Sequence, residues 1–406
     1  MKADRHHASN ATTDFKSVRI NSDKIDFDLS IDKVDKLMLK HEVFYEKILN
    51  FDFNIFEFSR SVGRNMQMPF MATSLLKHNN LLQTVDHHKF LQFIAQIYNQ
   101  YKRSVEYHND LHGSDVAQHL GLILKTQDLM KHAHFDDLDN LSLIVAALCH
   151  DVQHDGFNNR YHVVTKSPIC QMYGEEHVQE NFHAAQTVKL LDISEYDFLS
   201  GKFTRAQIKL IKKRLVQSIL FTDMATMKQL RDEFQEHLNK FAIKDCENRD
   251  RLIDQTSPAT VEVSKQLISS VALHACDIST SLRPYEVSTQ WADLLFDEFF
   301  NQGDMEKAQQ LDISMMCDRT TTNIAGGQAG FIQFVVMPIF YQLADICPEI
   351  HNLQLETGKQ NIEKWKVRAD SEKRQKEKVD QMKEILAQAV TKGKVAETVG
   401  KLSDFG

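Results

Sequence analysis

YHNDLHGSDVAQHL, Tyr107 to Leu120, places three histidines in fourteen residues, at spacings of four and seven. On a helix of 3.6 residues per turn, His108, His112 and His119 fall within roughly 40° of one another. Val116 and Leu120, continued by Ile123 and Leu124, mark an apolar face at the same period. The stretch therefore reads as a helix with a row of imidazoles along one side.

The helical period extends through the chain. Ile208, Ile211, Leu215 and Ile219 mark a second face, and Leu141–Cys149 is apolar nearly all round, as a helix buried on most sides would be. Glycine (14) and proline (6) are scarce in 406 residues, and strand-like alternation is rare, so the expected fold class is all-α. Residues 1–45 form a polar N-terminal extension, 46–365 carry almost every aromatic and every histidine motif, and 366–406 are charged. In that last part Val379, Met382, Leu386 and Ala389 recur at three- and four-residue steps, predicting one amphipathic helix before a polar tail, TKGKVAETVGKLSDFG.

Bulk composition narrows the function. A formal charge of −8 argues against a nucleic-acid polymer as partner, and an anionic small substrate would need bound cations or a local basic patch. Six scattered cysteines with no C-x-x-C pair, and an N-terminus without an apolar core, predict a soluble, cytoplasmic protein. The run LSLIVAALC is far shorter than the ~20 residues of a membrane span, so none is expected.

Three further segments carry ligand chemistry. HDVQHDGFNNRY sets His150 beside Asp151 and His154 one turn later; EEHVQENFHAAQ places Glu180 three before His183; LHACDIS puts Asp277 in an apolar setting. Imidazole and carboxylate together suit zinc, manganese, iron or, with more oxygens, magnesium. Cys149 and Cys276 each precede a candidate ligand rather than occupying the ligand spacing.

Tyr107-His108-Asn109 with His112, Asp115 and Val116, then His150-Asp151, His154, Gly156 and Asn159, closely resemble the class I cyclic nucleotide phosphodiesterases. MYGEEHVQENFH, LFTDM, ACDIS, EFFNQGD and GGQAGFIQF follow in that family's order, from about Asn54 to Trp365. The resemblance implies a compact multi-helix bundle around a binuclear, HD-type metal pocket. It implies that His112, His150, Asp151 and Asp277 hold zinc, and that Asp151 bridges to magnesium or manganese. His154, Glu180 and Thr222 would orient the second ion's waters. His108 would be the general acid, and His119 has no matched role. Gln328 would read the purine edge, with Phe331 stacking on one face and Leu295 or Phe299 on the other.

The implied activity is hydrolysis of cAMP, cGMP or both to 5′-monophosphates, ending a cyclic nucleotide signal. Thr280 stands where adenine-reading members carry asparagine, which leaves the preferred base open; Phe182 replaces a frequent histidine and Gly113 a common alanine. An HD-type phosphohydrolase of other nucleotides shares the H…HD…D set but lacks the Y-H-N and Q-x-G-F-I segments. A non-catalytic scaffold with the same fold is the other alternative. The two tails are the candidate surfaces for a homodimer, a protein partner or a subcellular tether.

Overall fold

The computed structural model describes residues 29–391; residues 1–28 of the extension and the closing 392–406 lie outside the described residues. Among the described residues there is no β-strand, only the isolated bridges Ser200–Phe203 and Lys244–Glu247.

The first helix, α1 (Ile31–Lys40), starts where the Ser30 side chain accepts the Lys33 N–H. Its Val34 and Met38, one turn apart, are buried with Leu29 in the main core. They pack toward α2 (Arg64–His78), whose residues from Met66 to Leu76 are all buried. Residues from Leu29 onward within the polar extension thus supply part of the core.

Next come α3 (His87–Gln100), capped by Asp86, and α4 (Asp110–Gly121), capped by Asn109. The centre of the bundle is α5 (Asp137–Cys149). A reciprocal capping box between Asp136 and Asp139 sets its start, and every residue from Leu138 to Cys149 is buried. Helix α6 (Val178–Leu191) leads to α7 (Arg205–Leu220), begun by a Thr204–Gln207 capping box. Helix α8 (Pro258–Asp277) has Pro258 at its first turn and a Ser257–Thr260 box. Helices α2, α4, α7 and α8 all pack on α5.

This arrangement positions the site. Helix α5 ends at His150 and α8 at Asp277, while His112 lies in the first turn of α4. Two helix C-termini, each with the partial negative charge of its last carbonyls, therefore point their terminal side chains at one place. Gly113 lets α4 come close: a Cβ there would stand 2.8 Å from the Tyr101 hydroxyl and 3.3 Å from the Leu148 carbonyl.

Helix α9 (Tyr285–Ala308) runs along one side of the site, and α10 (Ile324–Phe331) continues through a π-helical turn, Ile332–Val336, into Met337–Ala344. By length and composition alone Ile324–Ala344 could cross a bilayer, and 44% of its most apolar window is buried within the fold. Apolar runs in the sequence do not show it, because Gly326, Gly327, Gln328, Gly330 and Gln333 interrupt the segment. Helix α11 (Glu356–Thr391) packs on α10, is anchored by buried Ile362 and Trp365, and then runs on with exposed Val367 and Val379.

One buried ion pair ties α4 to the start of α9. Arg283 donates to the Asp115 carboxylate at 2.9 Å and to Gln118 Oε1 at 2.6 Å, with both charged side chains at most 1% exposed. Asp115→Ala strands that guanidinium, and chemical denaturation should show a loss of about 3–5 kcal/mol.

Candidate metal centre and active site

His150 Nδ1 lies 2.9 Å from the Ala147 carbonyl. That contact places the ring proton on Nδ1 and turns the Nε2 lone pair inward, the orientation a metal-ligating histidine needs. Nε2 then lies 3.0 Å from Asp151 Oδ2, 3.1 Å from Asp277 Oδ1 and 3.3 Å from His112 Nε2. His112 Nε2 in turn faces Asp277 Oδ1 at 2.9 Å and Asp151 Oδ2 at 3.5 Å. The four ligand atoms all lie within 4.8 Å of one another.

These residues fit a metal ion. Both imidazoles are fully buried, and Asp151 Oδ2 has no hydrogen-bond partner. Burial alone would raise the Asp151 and Asp277 carboxyls, but a positive charge facing them, carried by His150 when its Nε2 is protonated, overrides it and holds both well below the usual range; a cation taking that proton's place would do the same. Two ionised oxygens and two inward nitrogens form a mixed donor set of the kind zinc and similar cations take.

The histidine row divides differently from a single helical face. Asn109 Oδ1 accepts the Leu111 N–H and starts α4 there, so His108 lies in the turn ahead of the helix. His119, at the other end, is buried away from the cluster, its Nδ1 2.6 Å from Ser279 Oγ and its Nε2 3.0 Å from Gln354. His108 keeps 24% of its side chain exposed.

What holds His108 is Glu298, a residue the sequence reading did not assign. One carboxylate oxygen lies 2.5 Å from His108 Nδ1; the other accepts the Tyr107 and His108 N–H groups at 2.8 and 3.0 Å. Burial works against a charged imidazole, but Glu298 outweighs it and pushes the His108 pKa up to about 9. Burial would likewise raise Glu298, and His108 brings it down to about 2. The signal was present in EFFNQGD: a carboxylate among phenylalanines must have a buried partner. His154 stacks on His108 with ring centroids 4.2 Å apart. Burial first, and then the His108 charge, lowers its pKa to about 3, so it is neutral.

The remaining site residues form a wider ring. Asn159 donates to both Glu180 oxygens, and burial followed by Asp223 pushes the Glu180 carboxyl up to about 8. Thr222 is buried and donates its hydroxyl to the Ile219 carbonyl. Gln328 is buried on α10, three residues before half-buried Phe331, and half-buried Leu295 and Phe299 sit four apart on α9. Each pair shares a helix face. The Thr280 hydroxyl pairs with Tyr107 Oη at 3.0 Å, a link between two of the motifs. His183, one residue after Phe182, turns Nδ1 to the Val152 carbonyl and Nε2 toward Asp151 at 4.0 Å.

A profile of the family described as 3′5′-cyclic nucleotide phosphodiesterase matches residues 107–357. The chain is 31% identical over 304 residues to the probable 3′,5′-cyclic-AMP phosphodiesterase pde-4 of Caenorhabditis elegans, covering 74% of this chain and 43% of that protein. It is 29% identical over 307 residues to 3′,5′-cyclic-AMP phosphodiesterase 4C of Rattus norvegicus, covering 75% of this chain and 55% of the relative. The chain thus spans about half the length of the curated relatives it matches. Among solved structures, LmjPDEB1 in complex with IBMX superposes with a TM-score of 0.72 at 25% identity, covering 84% of this chain and 99% of that one.

Removing one ligand tests the centre directly. Asp277→Ala should lose at least one equivalent of bound metal per chain by elemental analysis, with helical content by circular dichroism unchanged.

Proposed function

The chain belongs to the 3′,5′-cyclic nucleotide phosphodiesterase family, and from that premise we propose that it hydrolyses purine 3′,5′-cyclic nucleotides to 5′-monophosphates and so ends their signal. The observation that carries this is the meeting of His108, locked by Glu298, with the ligand cluster, within one site.

His112, His150, Asp151 and Asp277 would hold zinc, with Asp151 shared with magnesium or manganese. When bound, the cations neutralise the phosphodiester's charge and lower the pKa of water, supplying hydroxide near neutral pH. His154, Glu180 and Thr222 would orient water around the second ion. Opening of the ring breaks the bond between phosphorus and the 3′ oxygen, which needs a proton as it leaves. His108 supplies it. Glu298 occupies Nδ1, so the proton is given from Nε2, and a pKa of about 9 keeps that proton in place at pH 7. The two backbone N–H bonds to the other Glu298 oxygen keep the carboxylate from swinging away.

Gln328 would read the base, with Phe331 and Leu295 or Phe299 enclosing the purine. The Gln328 amide makes no hydrogen bond among the described residues, so either its oxygen or its nitrogen can face the purine edge. Both cAMP and cGMP fit such a reader, and Thr280, already paired with Tyr107, offers a hydroxyl rather than an amide. The six cysteines are unpaired, which suits a reducing, cytoplasmic setting. The exposed length of α11 beyond Trp365 is the surface on which a second copy or a protein partner would dock.

Paired kcat/KM values on cAMP and cGMP, with dNTPs as controls and a chelator arm, test the activity; turnover of dNTPs but of neither cyclic nucleotide would refute it. His108→Ala should lower kcat by roughly 10²–10⁴-fold while metal content stays unchanged. Glu298→Gln removes the charge that raises the His108 pKa. Because the acid must be protonated, the alkaline limb of kcat should move to lower pH, by roughly one unit or more; an unmoved limb would rule out this role for Glu298.

A further inference from the structure

A second cluster of ligand-type side chains lies outside the four-residue centre. His177, Glu180 and Asp223 each present one ligand atom, all within 4.8 Å of one another. His177 Nδ1 is 2.8 Å from Asp223 Oδ2, and the other Asp223 oxygen accepts the Ala225 N–H. His177 itself holds a left-handed backbone (φ 51°) and makes no capping bond to α6, so its ring is free to serve Asp223 instead.

The cluster has few other polar partners. Asp223 is buried and Glu180 half-buried, and the Asp223 and Asp151 charges both act on Glu180. The side chain that does hydrogen-bond Glu180 is the neutral amide of Asn159. No lysine or arginine is paired with either carboxylate among the described residues. Repulsion between them is relieved without an ion, since Glu180 holds a proton at neutral pH and Asp223 faces His177, so what points to an ion is the convergence of three ligand atoms within 4.8 Å. A histidine nitrogen facing the same point marks the cation as one that accepts nitrogen, which favours zinc or manganese over magnesium.

We propose that His177, Glu180 and Asp223 form a separate divalent-cation site at the edge of the active site, selective for a zinc-like ion. Glu180 has two oxygens and belongs to both neighbourhoods. An ion held here draws the carboxylate toward His177 and away from the water around the catalytic centre, so excess zinc inhibits. The site's existence stands on its own geometry; its inhibitory effect rests on the proposed function.

The test uses the metal-replete full chain, equilibrium-dialysed against graded zinc, with anomalous diffraction at the zinc edge. Two variants keep the backbone: His177→Asn, since asparagine tolerates the left-handed conformation, and Asp223→Asn, which keeps the carbonyl that accepts Ala225 N–H. Wild type should bind one more zinc than the centre accounts for, with a peak between His177 and Asp223. Each variant should bind that ion at least about tenfold more weakly, and zinc inhibition should weaken in step. No extra equivalent in wild type, or equal uptake by both variants, would overturn the site. Hydrolysis intact with no extra zinc would sink this site alone; extra zinc bound without hydrolysis would uphold it and sink the proposed function.

Discussion

Two buried imidazoles, buried Asp151 and half-buried Asp277 crowd their ligand atoms around one point, and the rest of the molecule is arranged to make that tolerable. Removing such groups from water costs several kcal/mol each unless opposite charge and hydrogen bonds replace the solvent. Here the replacement comes from the ends of helices. The chain leaves α5 at His150 and α8 at Asp277, and the helices are held by packing rather than by the site itself, α5 from Leu138 to Cys149 and α8 from Ile268 to Cys276. A central helix with no exposed face fixes a histidine at its end as firmly as a side chain can be fixed.

Around that centre the charges are graded. Moving outward, His154 is neutral, His108 is cationic against Glu298, and Glu180 carries a raised pKa beside Asp223. Neighbouring titratable groups whose environments push them apart are the usual mark of a site that moves protons. The gradient comes from geometry: His154 is buried, and His108 stacks face to face on it, so burial first and then the His108 charge keep the His154 ring neutral.

Much of this was legible in the residues. Leu141–Cys149 announced a buried helix because it offers no polar face, and the spacing of His150, Asp151 and His154 announced ligand chemistry. Other features escaped because they depend on contacts across long stretches of chain. Glu298 lies 190 residues from His108, and nothing local in either segment names the other. The start of α4 turned on one capping side chain, Asn109, which moved His108 off the helical face that periodicity had given it. Helix α1 fell within the polar N-terminal extension because its two core residues, Val34 and Met38, are too few to raise the average of the segment around them.

The grip of Glu298 on Tyr107 and His108 has a bearing on how the protein comes into being. During synthesis, the turn carrying His108 leaves the ribosome long before α9 does, and Asp277 also arrives late. A chain that stops short of α9 therefore has nothing to hold the turn of His108, and one that stops short of the end of α8 lacks Asp277 from the cluster. The geometry of the site is thus assembled only when parts of the chain 190 residues apart meet, and a piece ending before Asp277 completes neither the cluster nor the Glu298 contact.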